Sequence, residues 1–176
     1  MTEARKRIAA HVAANPGEHF NELVRSLDLA PGQVQYHVRR LSGEDRVEAE
    51  QFYGQTHYYP PSVEPWERGA LALARRETAR DVLLYVVEHG PSAPGAVAAD
   101  LDIARSTLEW HVDHLVEQSV LRKLRDDRNR VTLVLTRPEA TVALLQHVTP
   151  TAPERLVDRF TRLVDGLFAA EDPTAE

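Results

Sequence analysis

The 176-residue chain has no cysteine. That excludes disulfide staples, thiolate metal centres and cysteine nucleophiles. Lysine is almost missing as well: Lys6 and Lys123 are the only two, and arginine carries nearly all the positive charge. No run of 18 apolar residues exists, so no membrane span is expected. The amino terminus is polar and charged (Thr2, Glu3, Arg5, Lys6, Arg7) rather than apolar, unlike a signal peptide. No glycine-rich phosphate loop and no nucleophile elbow can be found. Acidic neighbours such as Asp126-Asp127 fall in an expected turn, where solvated acids are ordinary. The expectation is therefore a cytoplasmic, non-enzymatic protein without a cofactor.

What is present is a repeat. The segment Leu27-Asp28-Leu29-Ala30-Pro31-Gly32-Gln33-Val34-Gln35-Tyr36-His37-Val38-Arg39-Arg40-Leu41 recurs 74 residues later as 101–115. Six of the fifteen positions are identical, and Leu29/Ile103, Val34/Leu108 and Tyr36/Trp110 are conservative pairs. An ungapped repeat of this kind constrains architecture before any local reading. Around the first copy, Ile8, Ala9, Val12 and Ala13 have helical spacing, and Asn15-Pro16-Gly17 stops that helix. Phe20, Leu23, Val24 and Leu27 predict a short second helix, and Asp28-Leu29-Ala30 a turn. Pro31 suits the first position of a third helix. After Gly43 the period changes to two: 47–53 and 56–59 read as strands around Gly54-Gln55. Pro60, Pro61 and Pro65 close the unit.

The second copy repeats this plan. A long helical pattern covers 66–89, a short helix follows around Val97 to Leu101, and a third spans 106–118. Strands at 120–125 and 130–135 flank a turn at 126–129. Three helices and a hairpin, twice, predict a mainly helical α+β fold. It comprises two winged helix-turn-helix units (1–62 and 63–137) and a C-terminal helical segment (138–176). That last segment contains a short helix from Pro138 to His147 and a longer one from Pro153 to Ala170. The longer helix has an apolar stripe through Leu156, Phe160, Leu163 and Leu167 with heptad-like spacing, which suits a homodimer contact, docking on the chain's own second unit being the alternative.

Each third helix is a candidate major-groove reader. With Val34, Val38 and Leu41 inward, the first exposes Gln33, Gln35, Tyr36, Arg39 and Arg40. Glutamine pairs bidentately with adenine and arginine with guanine. The second exposes Arg105, Thr107, Glu109, Trp110 and Asp113, and its acids would be repelled by a polyanion. Its hairpin is basic instead, with Arg122, Lys123, Arg125, Arg128 and Arg130 placed to touch phosphates. The first hairpin carries Glu48 and Glu50. A division of labour is expected, with bases read by the first unit and the second either holding phosphates through its hairpin or binding something else. His37 and His111 occupy one repeat position, where packing is the ordinary role; His111 and His114 have a spacing that a metal could also use. Tyr53, Tyr58, Tyr59 and Trp66 are expected to form an inter-unit core, a ligand pocket being the alternative.

The segment 27–41 with its glycine-turned hairpin, and its copy 103–115, resemble archaeal winged-helix regulators of the ArsR/MarR-like group, of which tandem forms occur especially in haloarchaea. The resemblance covers 5–137. It implies sequence-specific binding of double-stranded DNA and transcriptional control, often as a homodimer, and names no small-molecule effector. It carries over no metal sensor, because the cysteine ligands are absent. Glu109 and Asp113 depart from a DNA-reading pattern. The net charge of −6 supports a rival expectation, a winged-helix scaffold that binds other proteins. The excess acid is concentrated in 138–176, with 3 basic and 7 acidic side chains.

Overall fold

An aspartate sits in the turn before the third helix in both copies of the repeat, Asp28 and Asp102, while that helix opens on Pro31 in the first and Arg105 in the second. A computed structural model describes residues 1–148, and the stripe from Leu156 to Leu167 lies outside the described residues. The first 60 residues form α1 (Glu3–Ala14), α2 (Phe20–Leu27), α3 (Pro31–Gly43), β1 (Glu48–Phe52) and β2 (Gln55–Tyr59). The Thr2 hydroxyl accepts the Arg5 N–H at the start of α1. Glu22 reaches back to the His19 N–H at the start of α2, and Gln33 to the Ala30 N–H at the start of α3. These contacts satisfy amide groups that a helix leaves free at its first turn.

Then follow α4 (Pro65–Ala74), α5 (Glu77–His89), α6 (Pro94–Asp100), α7 (Arg105–Glu117), β3 (Leu121–Arg125), β4 (Val131–Leu135) and α8 (Pro138–Val148). The fold is α+β: helices with two separate two-stranded antiparallel hairpins. The repeat extends to backbone geometry. Asp28 and Asp102 are left-handed at φ 51° and 53°, and Asp45 and Ser119 at 53° and 57°, each pair 74 apart. The chain before the second helix also bridges the hairpin in both copies. Gly17 and Glu18 exchange hydrogen bonds with Tyr58, as Ser92 does with Leu133.

Two local expectations shift. The pattern at 66–89 is two helices, not one. The break at Arg75-Arg76 lets both guanidinium groups reach carbonyls of the first sixty residues: Arg75 to Pro16 at 3.0 Å and Arg76 to Tyr53 at 3.1 Å. The first hairpin turns at Tyr53-Gly54 rather than Gly54-Gln55, with φ of 49° and 83°. Two positive φ angles are what a tight two-residue hairpin turn demands.

The core has two parts. Ile8, Val12, Leu23, Leu27, Val34, Val38, Leu41, Val47 and Tyr58 make the first. The second runs through α4 to α8 and β3–β4, and it includes Tyr59. Adjacent residues of a strand point to opposite faces, so Tyr58 enters one core and Tyr59 the other. α8 buries Thr141, Val142, Leu144 and Leu145 against this second core, so 138–148 packs with what precedes it. No helix among the described residues is long and apolar enough to cross a membrane.

Candidate nucleic-acid interface

α3 is amphipathic, with Val34, Val38 and Leu41 buried and Gln33, Gln35, Tyr36, Arg39 and Arg40 exposed. Gln33 is partly committed to its helix start, 3.3 Å from the Ala30 nitrogen. The side chains of Gln35, Arg39 and Arg40 have no hydrogen-bond or ion-pair partner among the described residues. Tyr36 is 59% exposed. A groove of about 620 Å³ separates α3 from the first hairpin. Its walls include Gln35, Val38, Arg39, Ser42, Thr56 and Tyr58.

The acids of this hairpin do not line that groove. Glu48 and Glu50 alternate with Ala49, and both reach Arg68 of α4, at 2.7 and 3.5 Å. Ala49, Thr56 and Tyr58 occupy the groove side. The hairpin therefore offers a neutral wall to whatever approaches α3.

The second repeat is built differently at the same positions. Gln35, Arg39 and Ala49 correspond to Glu109, Asp113 and Lys123. The Lys123 ammonium sits 3.1 Å from Glu109 and 3.0 Å from Asp113, tying the hairpin to α7. Arg105 also pairs with Glu109, at 3.4 Å. Further out, Arg125 donates to Asn129, and Arg130 pairs with Asp126 at 2.7 Å. Arg122, Arg128 and Thr107 are exposed without a side-chain partner among the described residues.

The other flank of α7 meets the tip of the first hairpin. The Tyr53 ring lies 4.1 Å from the His114 ring and 6.5 Å from Trp110. Its hydroxyl accepts from Gln118 at 3.1 Å and donates to Glu117 at 3.3 Å. Arg76 stands over both the Tyr53 and Trp110 rings, at 5.6 and 5.7 Å, a cation–π geometry. Gly69 leaves room for Gln118, since a Cβ there would collide with the Gln118 Oε1. Sequence reasoning placed Tyr53 and Trp66 in an inter-unit cluster. It did not find that α7 receives Tyr53, because helical periodicity says which face is exposed and not what covers it.

The four aromatics expected together are divided. Tyr58 and Tyr59 are buried; Tyr59 donates to the Arg68 carbonyl at 2.7 Å. Trp66 donates to the Ser119 carbonyl at 3.0 Å, and Arg137 lies 4.8 Å over its ring. His37 and His111 each pack edge-on against the preceding aromatic, and each has a buried Nδ1 without a hydrogen-bond partner. His114 packs on Tyr53 and Trp110. Among the described residues no group of three or more histidine and acidic side chains could hold a metal ion.

His57 joins the hairpin to the start of α2. Its Nδ1 lies 2.6 Å from the Gly17 carbonyl, and its Nε2 is buried without a partner among the described residues. Burial lowers its pKa below the ordinary 6.5; the Gly17 bond and Glu22 oppose that shift, while His19 and Arg76 reinforce it. The unfolded chain therefore binds this proton more readily than the folded one. The stability is present above about pH 6.5 and drains away as pH falls below it. The thermal midpoint should drop as pH is lowered from about 7 toward 5, and His57→Gln should flatten that slope in a calorimetric pH series. An unchanged slope would show that other groups control it.

Residues 2–71 match the family model HTH_HVO_0163_N, N-terminal HTH domain. An uncharacterized HTH-type transcriptional regulator of Methanocaldococcus jannaschii, MJ1398, is 23% identical over 131 residues, which is 74% of this chain and 33% of the relative. The chain thus spans about a third of that curated relative's length. Among solved structures, RV1404 from Mycobacterium tuberculosis is 22% identical with a TM-score of 0.40, covering 61% of this chain and 83% of that one. Reduced AbfR bound to DNA is 16% identical with a TM-score of 0.41, covering 78% and 89%.

Proposed function

We propose that the protein is a DNA-binding transcriptional regulator that reads double-stranded DNA through α3. The observation that carries this reading is the open groove beside Gln35 and Arg39, two side chains one helical turn apart that have no partner among the described residues. The match of residues 2–71 to an N-terminal HTH domain supports it, as does the relative named as an HTH-type transcriptional regulator. On this reading Gln33, Gln35, Tyr36, Arg39 and Arg40 approach base edges, and Arg122, Arg125 and Arg128 of the second hairpin approach phosphates. Arg130 and Lys123 would first have to leave their carboxylate partners. The chain is organised as two winged-helix units, 1–62 and 63–137, in the tandem archaeal manner of the resemblance. It acts in the cytoplasm without catalysing a reaction. The stripe through Leu156, Phe160, Leu163 and Leu167 pairs two chains on a palindromic site.

The test is fluorescence anisotropy of the full chain with DNA from upstream of its own gene and with a scrambled duplex, across a salt series. The natural duplex should bind more tightly, and log affinity should fall linearly with log salt. Replacing Arg122, Arg125 and Arg128 with alanine should reduce that slope by about 0.9 for each phosphate contact removed. Equal binding of both duplexes would leave only charge attraction. No binding even at low salt would favour the protein-scaffold alternative, to which the net charge of −6 lends support.

A further inference from the structure

We infer that α7, although it occupies the position of a second reading helix, is the seat on which the first hairpin is held, so that each chain presents one base-reading helix. The inference rests on the DNA-reading role proposed for α3. Its own support is the fate of the four outward positions of α7. In α3 the equivalent residues are Gln35, Tyr36, Arg39 and Arg40, all exposed. In α7 they are Glu109, Trp110, Asp113 and His114; Trp110 and Asp113 are exposed as well, but each of the four makes a side-chain contact within the chain. Lys123 holds Glu109 and Asp113 on one flank, at 3.1 and 3.0 Å. Tyr53 packs on His114 and Trp110 on the other.

The seat is built from both sides. The Tyr53 hydroxyl meets Gln118 and Glu117 at the carboxyl end of α7, and its carbonyl accepts from Arg76 in the α4–α5 break. The ring is thus fixed at its tip, its face and its backbone. Tyr53 itself adopts a left-handed conformation at φ 49°, uncommon for a bulky residue outside a tight turn. A major-groove approach by α7 would bring Glu109 and Asp113 toward phosphates and would have to dislodge the hairpin tip. What the seat accomplishes is placement: β1–β2 forms one wall of the α3 groove, and Tyr53 terminates that wall. Tyr53 and Trp110 are therefore positioning residues for α3, acting through the hairpin, and a two-half-site operator requires two chains.

Two readouts on the full chain test this. In a Trp66→Phe background Trp110 is the sole tryptophan, so its emission reports the seat with no DNA present. Tyr53→Leu should shift that emission to longer wavelength, and Gln118→Ala, which leaves both rings in place, should shift it less in the same direction. Selection from a randomised duplex pool supplies the second readout. Trp110→Ala and Tyr53→Leu should weaken binding severalfold for all sequences alike and leave the preferred sequence unchanged, and Trp110→Phe, which keeps a ring for Tyr53 to pack on, should bind much more nearly as the parent does. Gln35→Ala, by contrast, should change the preference. An unchanged Trp110 emission in Tyr53→Leu overturns the seat. A changed base preference in Trp110→Ala or Thr107→Ala overturns the single-reader inference even if DNA binding stands. The expected emission shifts in a chain that binds no duplex would uphold the seat and defeat the DNA-reading role instead.

Discussion

Gln35→Ala should cost about 1–3 kcal/mol of discrimination against the wrong base, roughly 5- to 150-fold in affinity for the preferred duplex. Arg39→Ala should cost a comparable amount. The two side chains stand at i and i+4, hence on one face of α3, and both line the same groove. Because neither has a hydrogen-bond or ion-pair partner among the described residues, removing either should break no contact there. Exposed substitutions of that kind usually change stability by less than about 0.5 kcal/mol. A melting curve superimposable on that of the parent protein, together with weakened and less selective binding, is therefore the expected pair of results. The equivalent substitutions in the other repeat should behave in the opposite way. Glu109→Ala and Asp113→Ala release Lys123 and remove two negative charges, so they should not weaken attraction to DNA. Full affinity and unchanged selectivity in both Gln35→Ala and Arg39→Ala would remove α3 as the reader.

Total charge is a poor guide to such a surface, and the reason lies in particular residues. Glu48 and Glu50 look like obstacles to a polyanion when read along the sequence. Strand alternation and Arg68 turn both carboxylates away from the α3 groove. In the second repeat the basic hairpin looks stronger than it is, since Lys123 and Arg130 are held by acids of the same chain. Partly exposed pairs like these are individually worth about 1 kcal/mol or less. A phosphate could compete for Arg130. Lys123 is harder to recruit, because its two carboxylates would be left facing the same polyanion.

The helices, both hairpins and their order could be read from periodicity and from the repeat, because each short amphipathic segment must bury one face and Pro31 and Gly54 mark where the backbone changes. The exposed set on α3 was legible for the same reason. What could not be read was the relation between the two copies. A continuous apolar pattern over 66–89 concealed the break at Arg75-Arg76, because the reason for it is remote: the carbonyls of Pro16 and Tyr53 receive those arginines. The commitment of α7 was hidden too. Nothing local shows that an exposed tryptophan also packs against a tyrosine 57 positions earlier in the sequence. The Glu109–Lys123–Asp113 bridge came closest to being legible, since all three residues were singled out. Read along the sequence, their charges bear on DNA; only the fold sets them against one another.

Tyr59→Ala should destabilise the protein by about 3–5 kcal/mol, the range for deleting a large buried aromatic. Tyr59 is fully buried, and it belongs to the second core although β2 otherwise serves the first. Its ring also lies 3.5 Å from where a Cβ on Gly17 would stand, beside Leu71 of α4. Removing the ring opens a cavity where α4, the hairpin and the α1–α2 loop converge. Tyr59→Phe isolates the hydroxyl. It leaves the packing intact but deprives the Arg68 carbonyl of a donor now 2.7 Å away, at a cost of about 1–3 kcal/mol. Arg68 is also the cation that holds Glu48 and Glu50, so the same substitution should loosen the hairpin's acidic side. Urea unfolding of the two variants, followed by tryptophan emission and by circular dichroism, separates the effects. Coincident transitions would show that the cores melt as one unit. If Tyr59→Ala instead splits the transition in two, the cores are coupled mainly through this residue. A loss below about 1 kcal/mol for Tyr59→Ala would contradict its place in the core.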